Sequence, residues 1–190
     1  MHLDELENLM STQRAVRKFR DEPVDDALLS RILRAATRAP SARNVQPWHF
    51  IVIRDPETKG KLGHIFDELG QQFYGHGAPE RQHWSEVPVL VAVCSNLPFG
   101  QGPGSEAATG ASVYPAVQNL LLAAHAAGLG TVLTTRWKSR EAEVRPLLGL
   151  PDEMAVHAII PMGWPAEKLG KNRRKPVGDV TSRERYGRQW

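Results

Sequence analysis

PSARNVQPWHF, residues Pro40 to Phe50, is the stretch on which the reading of this chain turns. Small, amide, proline and aromatic side chains crowd together here just before a strand-like run. Ser41, Asn44 and Gln46 offer compact hydrogen-bonding groups. Pro40 and Pro47 stiffen the backbone on either side, and Trp48 adds a flat surface with a single donor. Such a loop can line a site for a planar molecule with polar edges. Its plainer reading is a helix-to-strand connection in which Asn44 and Gln46 satisfy nearby backbone groups. The stretch alone does not separate the two.

Working outward, Leu28, Leu29, Ile32, Leu33 and Ala36 form one apolar stripe, with Asp25 or Asp26 as the cap of that helix and Pro40 beyond its end. Upstream, Leu3, Leu6, Leu9 and Met10 repeat at helical spacing. Between these helices, STQRAVRKFRDEP holds four cations in seven residues: Arg14, Arg17, Lys18 and Arg20. Downstream, WHFIVIR from Trp48 reads as a strand and Pro56 to Leu69 as an amphipathic helix. Residues 70–86 show no clean period and are expected to form a mobile excursion, in the manner of a lid. VPVLVAVCS from Val87 is an apolar, β-branched run expected as a buried strand. LPFGQGPG, 97–104, is loop by composition. Residues 111–127 are expected as a very apolar helix, with Pro115 in its first turn or bending it. Gly128 and Gly130 close it, and a strand over Thr131 to Thr135 follows. A helix over 139–148, with Ser139 as cap candidate, and a last strand over Ala155 to Met162 complete the core. The tail from Gly163 is basic and punctuated by Pro and Gly.

About four strands thus alternate with helices in what reads as one domain over residues 1–190. The helix from Ala111 is apolar almost all round and needs cover on every side, so a homodimer is expected. The lone Cys94 excludes an intrachain disulfide and suits a reducing, cytoplasmic setting. The first ten residues carry acids instead of a basic region, so no signal peptide is expected, and no apolar run reaches the length of a membrane span.

Two cationic clusters stand far apart, Arg14 to Arg20 and Lys168 to Lys175. Each alone reads as a solvated face; together they can converge on one phosphate, because guanidinium forks match phosphate oxygens. A nucleic-acid groove finds no motif to support it. Gly128-Leu129-Gly130 lacks the third glycine of a dinucleotide fingerprint, and Gly100, Gly102 and Gly104 alternate as a weak loop signal. There is no GxSxG elbow. Cys94 lies in an apolar run and reads as an inert core thiol, and the histidines show no paired metal-ligand spacing. With neither nucleophile nor metal, the chemistry falls to an organic cofactor.

Four blocks resemble the nitroreductase family of FMN-dependent NAD(P)H oxidoreductases: QRAVRKF at 13–19, PSARNVQPWHFIVIRD at 40–55, AVQNLLLAAHAAGLGT at 116–131, and PMGWPAEKLGKNRRKPVGDV at 161–180. The resemblance implies an α+β fold, a central and mostly antiparallel sheet flanked by helices, in a homodimer that shares its domains and holds FMN in two interface sites. It implies ping-pong transfer of a hydride from NAD(P)H to a nitroaromatic, quinone or similar acceptor. Carried over by position, Arg14 and Arg17 fall in the motif for the phosphate and flavin edge. Pro40, Ser41 and Asn44, with Gln46 beside them, match the loop lent to the partner's flavin. Thr134 and Thr135 match the strand end at the reactive edge, and Arg173 and Arg174 the tail's phosphate contacts. Family members often have Arg where this chain has Gln13 and Ser where it has Ala15. Two other readings accompany the first: a flavin-destroying enzyme that forms dimethylbenzimidazole, which shares the NxQPW loop, and a protein that sequesters flavin without turnover.

Overall fold

A computed structural model of the chain describes residues 2–75, 81–96 and 105–190. Helix α1 (Leu3–Thr12) is followed by α2 (Asp26–Ala36), β1 (Trp48–Ile53), α3 (Pro56–Tyr74), β2 (Val89–Asn96), α4 (Ser105–Ala126), β3 (Gly130–Thr131), α5 (Glu141–Leu147) and β4 (Met154–Gly163). The strands form one sheet in the order β1-β2-β4-β3, antiparallel at every pairing. The fold is α+β.

Alternation along the two central strands decides what packs where. Leu90, Ala92 and Cys94 of β2 face a core built with Leu62, Ile65, Phe66 and Leu69 of α3. Val89, Val91 and Val93 face the other core, shared with Ile32 of α2 and Val117 and Leu120 of α4. The sheet is therefore covered on both sides, which is why β2 and β4 read as continuous apolar runs although they pair antiparallel. Cys94 is fully buried, and burial pushes its thiol up to about 12, so it stays protonated at neutral pH.

The helix ends follow local chemistry. Asp25, not Asp26, caps α2, its carboxylate accepting from the Leu28 N–H at 2.8 Å. Asp55 caps α3 in the same way through Thr58, with Pro56 in the first turn. Helix α4 closes on Gly128, whose φ is +84°. The Leu129 N–H returns to the Ala124 carbonyl at 2.9 Å and the Gly128 N–H to His125 at 3.0 Å. This double return is the Schellman arrangement that glycine permits.

Several expectations change. Helix α4 starts at Ser105, so Pro115 lies inside it and not in its first turn. Ser139 caps nothing: residues 136–140 form a 3-10 turn, and α5 begins at Glu141 without a side-chain cap. The strand expected over 131–135 shrinks to Gly130–Thr131, with Thr134 returning only as an isolated bridge to Ile159. In the 70–86 region, Gly70 and Trp84 are buried, whereas Gln71 to Gly75 are exposed. Helix α3 continues through Tyr74, and Trp84 is 2% exposed and stacked on Phe66 with centroids 4.5 Å apart. Residues 76–80 and the glycines at 100, 102 and 104 lie outside the described residues. No helix among the described residues is long and apolar enough to cross a membrane, and no cluster of His, Cys, Asp or Glu there could hold a metal ion.

Candidate functional site

The segment after α1 runs extended along the open side of β3. Ala15 bridges Thr131 in parallel, and the Val16 N–H donates to the Thr131 carbonyl at 3.0 Å. Farther on, the Arg20 N–H donates to the Trp164 carbonyl at 2.8 Å and the Ala166 N–H to Lys18 at 3.0 Å. Val16 and Phe19 are buried, and the cations between and beside them stay outside. In extended backbone, residues an odd number apart point to opposite sides. Arg14 and Arg17 are three apart, and they border two different cavities.

The first cavity, a cleft of about 500 Å³, is lined by Arg17, Tyr74, Arg81, Thr134, Thr135 and Arg136 among others. Its floor is rigid. The Thr134 hydroxyl donates to the Ile159 carbonyl at 2.5 Å, and the indole N–H of buried Trp137 donates to the Thr134 carbonyl at 3.1 Å. Its far wall is stitched to the N-terminal segment: the Gln82 N–H donates to the Arg17 carbonyl at 3.0 Å, and the Gln82 side-chain oxygen accepts from the Phe19 N–H at 2.9 Å. Three guanidiniums face this cleft, and among the described residues no carboxylate lines it. Burial first, and then the neighbouring Arg136 charge, bring the pKa of Arg81 down to about 10.

The second cavity, about 410 Å³, is lined by Arg14, His125, Gly128, Gly130, Thr131 and Lys168 among others. Here the two cationic clusters do meet, through Arg14 and Lys168. Arg14 also ties down the tail, its Nη1 donating to the carbonyls of Gly170 at 3.1 Å and Lys171 at 3.2 Å. The His125 ring pairs with the Thr12 hydroxyl at 2.9 Å, and burial lowers its pKa. Arg173 and Arg174 lie exposed on the tail and line neither cavity; the Arg174 guanidinium donates to the Arg173 carbonyl at 2.8 Å.

Pro40, Ser41, Asn44 and Gln46 also line neither cavity of this chain. Their loop is nevertheless tightly specified. Arg43, Asn44 and Gln46 all take left-handed φ, at 52°, 56° and 51°, a conformation that is uncommon away from glycine. The Ser41 hydroxyl accepts from the Gln46 N–H at 3.0 Å, and Ser112 of α4 accepts from the Ala42 N–H at 3.2 Å. Backbone outliers held this way cluster at binding sites.

Of the site residues named from the sequence, Arg17, Thr134 and Thr135 share one cleft, Arg14 borders a second cavity with Lys168, and Pro40, Ser41, Asn44, Gln46, Arg173 and Arg174 line neither. Arg81, Arg136 and Phe66 escaped sequence reading. Arg81 lies in the stretch without period, and Arg136 stands one step past Thr135 as the first of three cations, with Lys138 and Arg140. No local pattern marks either.

Comparison with known proteins follows the same line. The model of the nitroreductase family matches residues 10–164. An NADH dehydrogenase of Thermus thermophilus is 33% identical over 200 residues, covering 88% of this chain and 90% of its own length. A 5,6-dimethylbenzimidazole synthase of Rhodospirillum rubrum is 32% identical over 197 residues, covering 91% and 92%. Among solved structures, oxidised iodotyrosine deiodinase bound to FMN and 3-iodo-L-tyrosine superposes with a TM-score of 0.74 at 30% identity, covering 90% of this chain and 96% of that one. The family model begins before the cationic segment and ends one residue past β4, so this chain belongs to the nitroreductase family.

Proposed function

We propose that the chain is an FMN-dependent oxidoreductase that moves a hydride from NAD(P)H to a nitroaromatic, quinone or similar acceptor in alternate half-reactions. The observation that carries this is the pair of cavities flanking residues 13–19. One is a cleft with Arg17 and a rigid threonine floor; the other holds Arg14 and Lys168. An elongated cofactor with a flat ring at one end and a phosphate at the other suits that donor set. Gly130 and Thr131 border the phosphate-side cavity, and Val132 to Arg136 the ring-side cleft.

FMN, when bound, supplies a ring that accepts and returns a hydride. The Arg17 guanidinium would stand beside the ring and favour negative charge on it. Arg14 and Lys168 would hold the phosphate; Arg173 and Arg174, exposed on the tail, would have to reach it from outside that cavity's lining. Thr134 and Thr135 would hold the backbone beside the ring, so that the protein would supply position and no acid or base of its own. Pro40, Ser41, Asn44 and Gln46 complete the site of a second copy in a homodimer. The left-handed backbone of that loop, and its absence from the lining of either cavity, fit a role outside its own chain. The outer side of α4, with Tyr114 40% exposed and Leu122 half-buried, is the surface that pairing would cover.

Steady NAD(P)H consumption with a nitroaromatic or quinone, by a protein sedimenting as a dimer, is the expected result. A colourless monomer without turnover would overturn it. The likeness to a dimethylbenzimidazole synthase favours one further reading, consumption of the flavin itself. Product analysis after aerobic turnover separates the two: an intact flavin supports the first, a benzimidazole the second.

A further inference from the structure

We propose that Arg136, backed by Arg81, anchors a carboxylate carried by an aromatic substrate of this cleft. The inference rests on the oxidoreductase reading of the same site and adds the charge of its substrate.

Arg81 and Arg136 both lie over the ring of Phe66, with guanidinium carbons 4.3 and 4.6 Å from its centroid, and Arg136 also lies 4.7 Å from that of Tyr74. Phe66 is itself buried and stacked on Trp84, so the platform is fixed. Arg81 is paired with Asp67. Arg136 has no carboxylate partner among the described residues. The Nη1 atoms of both arginines are buried and find no hydrogen-bond partner among the described residues. Leaving such donors unmet is unfavourable, more so on a charged group. The arrangement is completed by an oxyanion entering from the cleft that both residues line. Asp67 already balances Arg81 and Arg17 is assigned to the flavin, which leaves the one positive charge of Arg136 on this platform, so a monoanionic carboxylate matches better than a phosphate dianion. Guanidinium forks fit carboxylates in plane. Phe73 and Tyr74, 64% and 53% exposed at the cleft mouth, offer faces for the ring that carries it.

Gly70 shows that room is reserved for this group. It is buried in the interior of α3, where glycine is unfavourable. A Cβ there would sit 2.7 Å from Arg136 Nη1 and 3.6 Å from Arg81 Nη2. Alanine would therefore displace the end of a flexible side chain, and no backbone would have to move.

The test titrates the FMN-loaded protein with benzoate and with benzamide, its uncharged isostere, by calorimetry. Benzoate is expected to bind at least about tenfold more tightly, the range of a charged hydrogen-bonded contact. Arg136→Gln should abolish the preference and Arg136→Lys retain part of it. Gly70→Ala should also abolish it while the melting temperature holds or rises. Equal affinities in the unaltered protein, or a preference that survives Arg136→Gln, would overturn the proposal. A preference for NADPH over NADH that Arg136→Gln removes, with the benzoate ratio unchanged, would put the nucleotide phosphate there instead and overturn it as well. A protein that holds FMN and consumes NAD(P)H without discriminating carboxylates sinks only this inference. A protein that takes up no FMN sinks the reading beneath it.

Discussion

Gly130→Ala is expected to lower stability by about 1–3 kcal/mol, the usual range for forcing an extra carbon into a packed core. It should also cut FMN affinity. A Cβ at Gly130 would lie 2.7 Å from each of Val16 Cβ, Cγ1 and Cγ2. Val16 is buried and β-branched, with little rotamer freedom to retreat. Its backbone is held to Thr131, the next residue of the same strand. Relief therefore requires the extended segment to lift from the sheet edge, taking Arg14 and Arg17 with it. For a chain of this length the melting temperature should fall by roughly 2–12 °C. The contrast with Gly70 is instructive, because the added atom would meet its neighbour at the same 2.7 Å in both cases. At Gly70 that neighbour is the end of a long side chain, and at Gly130 it is a short buried one. Thermal unfolding of the two variants, with and without FMN, checks the opposite outcomes; an unchanged melting point for Gly130→Ala would contradict the close-packing account.

Arg17→Ala is expected to raise the FMN dissociation constant by roughly ten- to a hundredfold, the worth of a hydrogen bond to a charged group, with little change in the stability of the FMN-free protein. Arg17 is exposed, and the bond its side chain makes within the chain reaches the Ala15 carbonyl at 3.3 Å. Its contribution is thus directed at a ligand and not at the fold. Arg17→Lys should recover part of the loss, because a point charge replaces the planar fork. FMN titration followed by flavin fluorescence checks this. An unchanged dissociation constant would remove Arg17 from the site.

The elements that pack against the sheet were legible because their patterns are local. Leu28, Leu29, Ile32, Leu33 and Ala36 spell out one helical face, and the runs at Val87 and Ala155 are too apolar for anything but a doubly covered sheet. The end of α3 was not legible. Gly70, Gln71 and Gln72 look like a break, yet Gly70 is small because Arg136 fills the space above it, and that contact spans 66 residues of sequence. The division between Arg14 and Arg17 was written in their odd spacing, once their segment is known to be extended. Reading the two as one cation cluster hid it. Arg81 and Arg136 converge only through tertiary packing on Phe66. The loop from Pro40 to Gln46 was recognisable as special, but its place relative to the cleft of its own chain came only with the fold.

An absorption spectrum of the purified protein supplied with FMN, recorded anaerobically before and after NAD(P)H, tests the central claim most directly. Bound-flavin bands that bleach with NAD(P)H and return on adding a nitroaromatic or quinone are the predicted result. A protein that stays colourless after exposure to FMN and filtration, or one whose flavin NAD(P)H leaves oxidised, would contradict it.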